Sequence, residues 1–175
     1  MKMKILCLSM MTLLAISAVQ ANETNKGGSP ELEKMKNLAG TWTGTGKQAN
    51  GKEDPITVTY RVTSGGSAVE ETIFPGGPQE MISMYHDNNG KLTMTHYCVL
   101  GNQPEMELTS KAEGKLVLQA TARTKKELAG QPYMSGLIIE QPAQNMIIQT
   151  GQSTDAQGKT TECGVSTLRR VNEAK

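Results

Sequence analysis

The chain has 175 residues, with 18 Lys and Arg against 17 Asp and Glu. Its first 21 residues are predicted to be an export signal, and removing Lys2 and Lys4 with them leaves 16 basic and 17 acidic residues, a formal charge of −1. A body so close to neutral argues against nucleic acid as a partner, because such binding draws on an excess of basic side chains. The remaining length of about 154 residues suits one domain with its own core and is too short for two ordinary ones.

The N-terminal segment has the three parts of a secretion signal. Lys2 and Lys4 precede an apolar run at residues 5–19, and small residues surround Ala21, after which we expect cleavage. The apolar run is about 15 residues long, short of the roughly 20 that span a bilayer. The sequence therefore predicts an exported protein, periplasmic or extracellular, without a membrane anchor after cleavage. A retained anchor is the alternative.

The next residues predict a leader followed by a short helix. Residues 22–30 are polar and rich in glycine, as in a flexible leader, and one domain is predicted over residues 31–175. The Ser29-Pro30-Glu31 sequence has the residue types that begin a helix. Met35 and Leu38, three residues apart, are expected to form its buried face.

From residue 41 onward, apolar and polar residues alternate between frequent turn residues, which predicts an all-β antiparallel domain of about ten strands. One turn is expected at residues 87–90, and residues 124–133 are expected to form a mobile surface loop. Hairpin-connected strands in sequence order favour an up-and-down barrel over a sandwich, because closure removes exposed sheet edges. A barrel of this strand number is wide enough for an internal cavity.

Two stretches resemble a known family. The Gly40-Thr41-Trp42 opening resembles that of lipocalin-like barrels, a likeness that implies a structural Trp42 covered by Arg169 or Arg170 of the last strand. Residues 62–76, 80–86 and 95–104 look like an uncharacterised family of secreted bacterial lipocalin-like, calycin-type proteins, distantly similar to the nitrobindin haem barrels. This resemblance implies a fold and export but no established activity.

The haem ligand implied by the nitrobindin likeness has no counterpart here. Those barrels hold iron by a histidine in their C-terminal part, whereas this chain has no histidine after His96. Ligation would have to come from His86, His96, a methionine or a tyrosine. We therefore assign no cofactor to the chain.

The candidate site follows from the predicted turn at residues 87–90. Alternation from that turn places Tyr85, His96 and Cys98 inside the barrel and His86 outside, and Glu71 points inward by the same rule on the preceding strand. Polar groups that converge in an apolar setting are typical of ligand sites. The predicted ligand contacts also include two residues at a strand end near the mouth: Asn102 and Gln103.

Other readings of these residues stay open. Glu71 and His96 could satisfy one another or a backbone group without binding a ligand, and His96, Cys98 and Met94 could hold a soft metal such as copper, although no metal site is assigned. Cys98 could act as a nucleophile, or it could form a disulfide with Cys163, the other cysteine of the exported chain.

The function predicted from the sequence is binding of a small, mostly apolar molecule in the barrel cavity. No catalytic residue is assigned. The alternatives are an enzyme of unknown reaction in the same cavity, and a structural or interaction barrel without a ligand. The oligomeric state stays open.

Overall fold

A computed structural model describes residues 28–171 of the chain. The predicted export signal and most of the predicted leader lie outside these residues, as do residues 172–175. The elements in chain order are α1 (Pro30–Lys36), β1 (Gly40–Gln48), β2 (Glu53–Thr63), a 3-10 turn (Ser64–Gly66), β3 (Ala68–Ile73), β4 (Met81–Asn88), β5 (Lys91–Tyr97), β6 (Glu105–Ala112), β7 (Lys115–Ala120), α2 (Ala122–Glu127), β8 (Tyr133–Ala143), β9 (Met146–Thr154) and β10 (Thr160–Arg170).

The ten strands form one closed antiparallel barrel. Each strand pairs with its neighbours in sequence, and β1 pairs with β10 to complete the ring. The alternation in the sequence causes this arrangement: along β7, for example, every second residue is buried inside the barrel. The predicted barrel of about ten strands with a short N-terminal helix is confirmed.

Helix α1 covers one end of the barrel. The hydroxyl oxygen of Ser29 accepts a hydrogen bond from the Leu32 amide at 3.1 Å and so caps the first turn. Ser29 also donates from its amide and its hydroxyl to the carboxylate of Asp87 on β4. Leu32, Met35 and Leu38 are buried in the core. The helix start and its predicted apolar face are both confirmed.

Trp42 closes the same end of the barrel. Its ring is fully buried, and its indole N–H donates to the carbonyl of Leu38 at 2.7 Å. The guanidinium of Arg170 lies over the ring, 4.3 Å from its centre, and donates to two backbone carbonyls between α1 and β1. Arg169 is exposed, because successive residues of a strand face opposite sides. Arg170 is therefore the arginine that covers Trp42.

The connections at the two ends of the barrel differ. Those at the α1 end include the short β4–β5, β6–β7 and β8–β9 turns. The opposite end carries the connections β1–β2, β3–β4, β5–β6, β7–β8 and β9–β10, of which β7–β8 includes α2. We call this opposite end the mouth.

The β4–β5 hairpin differs from its predicted register. A loop at residues 87–90 predicts Met81 opposite His96, whereas the structure pairs Ser83 with His96. The loop is only Asn89 and Gly90, whose φ values of 52° and 76° match a two-residue hairpin turn. A shift of two residues keeps every side chain on its predicted face but changes its cross-strand neighbour.

Helix α2 occupies part of the segment predicted to be a mobile loop. The Thr121 hydroxyl caps its first turn by accepting from the amide of Thr124 at 3.2 Å. The hydroxyl of Thr124 exchanges two hydrogen bonds of 2.9 Å with the backbone of Glu105 on β6. Local capping and this attachment to β6 replace the predicted loop over residues 124–127. Across residues 28–171, neither α1 nor α2 nor any other helix has the length and apolar character needed to cross a membrane.

Candidate functional site

The barrel contains a cavity of about 810 Å³ that opens at the mouth. Its walls are mostly apolar and come from β1–β5, from β8–β10 and from loops at the mouth, whereas β6 and β7 contribute no lining residue. The apolar side chains that line it include those of Ile56, Ile73, Phe74, Met81, Val99, Leu100, Tyr133, Met134, Leu137 and Val165. A molecule with a sizeable apolar part would therefore find apolar contacts along much of the cavity wall.

The cavity occupies only the half of the barrel nearest the mouth. The half nearest α1 is filled by fully buried side chains that do not line the cavity: Trp42, Val58, Val69, Tyr85, Met94, Ile147 and Leu168. Met106 and Leu118 are also fully buried and do not line the cavity, and they fill the barrel beside β6 and β7. The boundary between the two halves is the floor of the cavity.

A row of polar side chains forms this floor. Tyr60, Glu71, Ser83 and His96 lie on β2, β3, β4 and β5, and each is the direct cross-strand partner of the next. Gln149 approaches the row from β9, on the far side of the barrel. Glu71, Ser83, His96 and Gln149 line the cavity, whereas Tyr60 does not.

The carboxylate of Glu71 is the centre of the floor. It is 1% exposed and accepts hydrogen bonds from the hydroxyls of Tyr60 at 2.7 Å and Tyr85 at 2.8 Å, and from the amide of Gln149 at 2.5 Å. Burial raises the pKa of both phenols well above their usual value, and the charge of Glu71 adds to the rise. Both tyrosines therefore stay protonated and act as donors.

His96 continues the floor on the other side of Ser83. Its Nδ1 lies 3.0 Å from the Ser83 hydroxyl oxygen. Burial lowers the pKa of His96 from its usual 6.5, while the charge of Glu71 opposes part of that change. Within residues 28–171, no group forms a hydrogen bond with its Nε2. The neutral ring is thus held by one nitrogen and presents the other to the cavity.

The predicted ligand contacts divide into three groups. Glu71 and His96 line the cavity, as alternation predicts. Tyr85 faces inward but lies below the floor, where it contacts Glu71 instead of the cavity. Neither Asn102 nor Gln103 lines the cavity: Asn102 donates to the carbonyl of Pro132, and Gln103 to that of Gly101. Both are in the β5–β6 loop, where alternation does not set the side-chain direction.

Sequence reasoning missed Tyr60, Ser83 and Gln149. Tyr60 alternates with polar residues on β2, a pattern that does not distinguish it from an ordinary core residue. Alternation also directs Ser83 inward, but a turn at residues 87–90 is two residues too long and puts Met81 instead of Ser83 opposite His96. Gln149 interrupts the apolar alternation of β9 that Ile147 begins, and a buried glutamine at that position is the one available signal.

The two cysteines of residues 28–171 line the cavity as free thiols. Cys98 follows β5 and Cys163 lies on β10. The proposed copper ligand Met94 lies below the floor and is fully buried. In the described part of the chain, no group of three His, Cys, Asp or Glu side chains is arranged to hold a metal ion.

Acid should destabilise the protein through His96. The pKa of His96 is lower in the folded chain than in the unfolded one, so below about pH 6.5 the unfolded chain binds more protons. The free energy of unfolding therefore decreases as the pH is lowered. One such group can cost at most about 1.4 kcal/mol per pH unit. Urea unfolding near pH 7.5 and pH 5.5 should show a smaller decrease in the free energy of unfolding between the two pH values for His96→Gln than for the wild type.

His86→Gln is the matched control for this experiment. His86 is on the outer face of β4, so this variant should keep the pH dependence of the wild type. If His86→Gln loses less stability at low pH than the wild type and His96→Gln loses as much, His96 is not the cause of the acid destabilisation.

Comparison with known proteins supports the fold. No family model matches the chain, and no curated protein matches it significantly. A crystal structure of a protein of unknown function from the DUF3598 family of Nostoc punctiforme is similar, with a TM-score of 0.54 and 15% identity, over 78% of this chain and 49% of that one. The chain thus spans about half the length of the Nostoc protein.

A second solved structure is similar over its whole length. Rv2717c from M. tuberculosis has a TM-score of 0.53 and 14% identity, over 83% of this chain and 100% of that one. At these identities the likeness concerns the fold alone. The chain has the fold of a ten-stranded antiparallel barrel that is also found in these two proteins.

Proposed function

We propose that the chain is an exported protein that holds a small, mostly apolar molecule in its barrel cavity. The observation that carries this proposal is the cavity itself, about 810 Å³ with mostly apolar walls, convergent polar groups at its floor, and polar and charged side chains at its mouth. Ligand pockets in proteins are typically about 300–1,000 Å³ and have this composition. Export rests on the predicted signal at residues 1–21, and the likeness of residues 62–76, 80–86 and 95–104 to secreted bacterial lipocalin-like proteins agrees with it.

The packing of the barrel also favours binding over a purely structural role. A barrel that served only as a scaffold would gain stability by filling its interior, because voids forfeit packing contacts. Here the half nearest α1 is filled with side chains, while the half nearest the mouth is left open. We infer that the open half is kept for a ligand.

A fluorescent titration tests the proposal. N-Phenyl-1-naphthylamine is a neutral, apolar dye, and we expect it to bind the wild-type protein in the cavity. Met81 lines the cavity, so Met81→Trp should fill part of it and weaken dye binding by about tenfold or more, equivalent to about 1.4 kcal/mol.

Met84→Trp is the matched control. Met84 lies three residues further along β4 and on the outer face, so the same substitution there should leave dye affinity unchanged. Equal affinity of the wild type and Met81→Trp would show that the dye does not occupy the cavity, and failure of the wild type to bind would also contradict the proposal.

One observation favours catalysis as a second candidate function. A serine hydroxyl within hydrogen-bond distance of a histidine is the pairing of a nucleophile with a base, and Ser83 and His96 make it at 3.0 Å. Ester hydrolysis that is lost in both Ser83→Ala and His96→Gln, while dye binding persists, would favour an enzyme. Turnover that is unchanged in either variant would exclude this pair.

A further inference from the structure

The floor of the cavity carries a negative charge without a cationic partner. Among residues 28–171, no lysine, arginine or histidine forms an ion pair with Glu71. Its three hydrogen-bond donors are neutral groups, which satisfy the carboxylate oxygens without neutralising them. Buried charges are ordinarily paired, because an isolated charge in an apolar setting is costly.

The cationic side chains of the cavity lie at its mouth instead. Lys47 and Lys52 are on the exposed β1–β2 side of the mouth, and Lys52 pairs with Asp54 at 2.9 Å. Neither contacts the floor by a hydrogen bond or an ion pair. A positive group at the floor would therefore have to come from the bound molecule.

His96 is a second acceptor in one of its two neutral tautomers. Its Nδ1 lies 3.0 Å from the Ser83 hydroxyl oxygen. When the ring proton is on Nδ1, the Ser83 oxygen accepts this hydrogen bond, and the lone pair of the ring is on Nε2, toward the cavity.

Gln149 supplies a third acceptor. Its amide nitrogen donates to Glu71 and to the hydroxyl of Tyr60, an arrangement that fixes its orientation, because the flipped amide would turn its oxygen toward the carboxylate. Within the described residues no donor reaches its carbonyl oxygen, and the side chain lines the cavity. With the ring proton of His96 on Nδ1, the floor presents three acceptors and one net negative charge.

We propose that the cavity selects an amphipathic amine, a molecule with an apolar body and a protonated amino group, and that this group lies at the floor against Glu71, His96 and Gln149. A primary ammonium has three N–H donors and one positive charge, which complement the three acceptors and the unpaired carboxylate. A fatty acid whose apolar chain is as long as that of the amine would bring a second carboxylate toward Glu71. This inference rests on the proposed function and names the class of its ligand.

Three ligands with one chain and different heads test the inference in the wild-type protein. Decylamine, decan-1-ol and decanoate are each titrated against bound N-phenyl-1-naphthylamine at pH 7.5. We expect decylamine to displace the dye at a concentration about tenfold lower than decanol does, and decanoate to be the weakest. Decyltrimethylammonium keeps the charge but has no N–H donor, and it should bind more weakly than decylamine.

The outcomes separate this inference from the proposed function. Equal displacement by amine and alcohol, preference for decanoate, or dye binding that none of the ligands competes with would overturn the amine proposal and leave the cavity as a binding site. Absence of dye binding altogether would overturn the proposed function.

Two neighbouring glutamates provide the matched variants. Glu71→Gln keeps the size and hydrogen-bonding capacity of the side chain but removes its charge, so the preference for amine over alcohol should fall from about tenfold to nearly none, with decanol still bound. Glu70 faces outward and pairs with Arg61 at 2.8 Å, so Glu70→Gln should keep the preference. A folded Glu71→Gln protein that keeps it would contradict the proposal, and the wild-type series stands as a test even if this variant does not fold.

Discussion

Replacing Trp42 with alanine should lower the free energy of unfolding by about 3–5 kcal/mol. The ring is fully buried between α1 and the barrel, its N–H bonds to Leu38, and Arg170 stacks on its face. Alanine would leave a large void and deprive the guanidinium of its stacking partner. The measurement is equilibrium urea unfolding of the wild type and the variant, followed by circular dichroism.

Two arginines that are adjacent in β10 provide the control. Arg170→Ala should cost part of the stability lost in Trp42→Ala, because it removes the stacking and two hydrogen bonds to backbone carbonyls. Arg169→Ala should change stability by no more than about 0.5 kcal/mol, as is usual for an exposed side chain. A Trp42→Ala protein as stable as the wild type would contradict the role of this residue in closing the barrel.

Gly44→Ala should destabilise the barrel at the seam where β1 meets β10. A Cβ at this position would overlap the backbone carbonyl of Thr167 and lie 3.1 Å from Cα of Leu168. Backbone cannot move aside as a flexible side chain can, so the two strands would have to separate locally. Overpacking of this kind costs about 1–3 kcal/mol, and we expect the upper part of that range.

Gly46→Ala tests whether the destabilisation by alanine is specific to position 44. Gly46 is on the same strand, but the nearest atom to its Cβ would be Oγ of Ser166 at 3.5 Å, an ordinary contact. This variant should unfold at nearly the wild-type urea concentration. Equal losses for the two alanine variants would mean that glycine in β1 is needed for some reason other than the close approach of β10.

Local patterns in the sequence predict much of the fold. Alternation depends only on a residue and its near neighbours, so the strands and the inward direction of Glu71 and His96 follow from it. The cap at Ser29 is local in the same way. Register depends on the turn, and an error of two residues at Asn89-Gly90 hid the contact between Ser83 and His96 while leaving their faces correct.

The rest of the site depends on contacts between distant parts of the chain. Gln149 is 78 residues from Glu71 in sequence, and only closure of the barrel brings the two together. The filling of the half nearest α1 also depends on closure, and it is the reason that Tyr85 supports Glu71 instead of lining the cavity. Asn102 is in a loop, where the contact with Pro132 decides its direction.

Native mass spectrometry most directly tests the central claim that the cavity holds a small molecule. The wild type, Met81→Trp and Met84→Trp would each be purified from the protein's own host under mild conditions. We predict an added mass of a few hundred daltons on the wild type and on Met84→Trp, and its loss from Met81→Trp, in which the cavity is partly filled. A wild-type protein that carries no added mass, or a Met81→Trp protein that carries the same one, would contradict the claim.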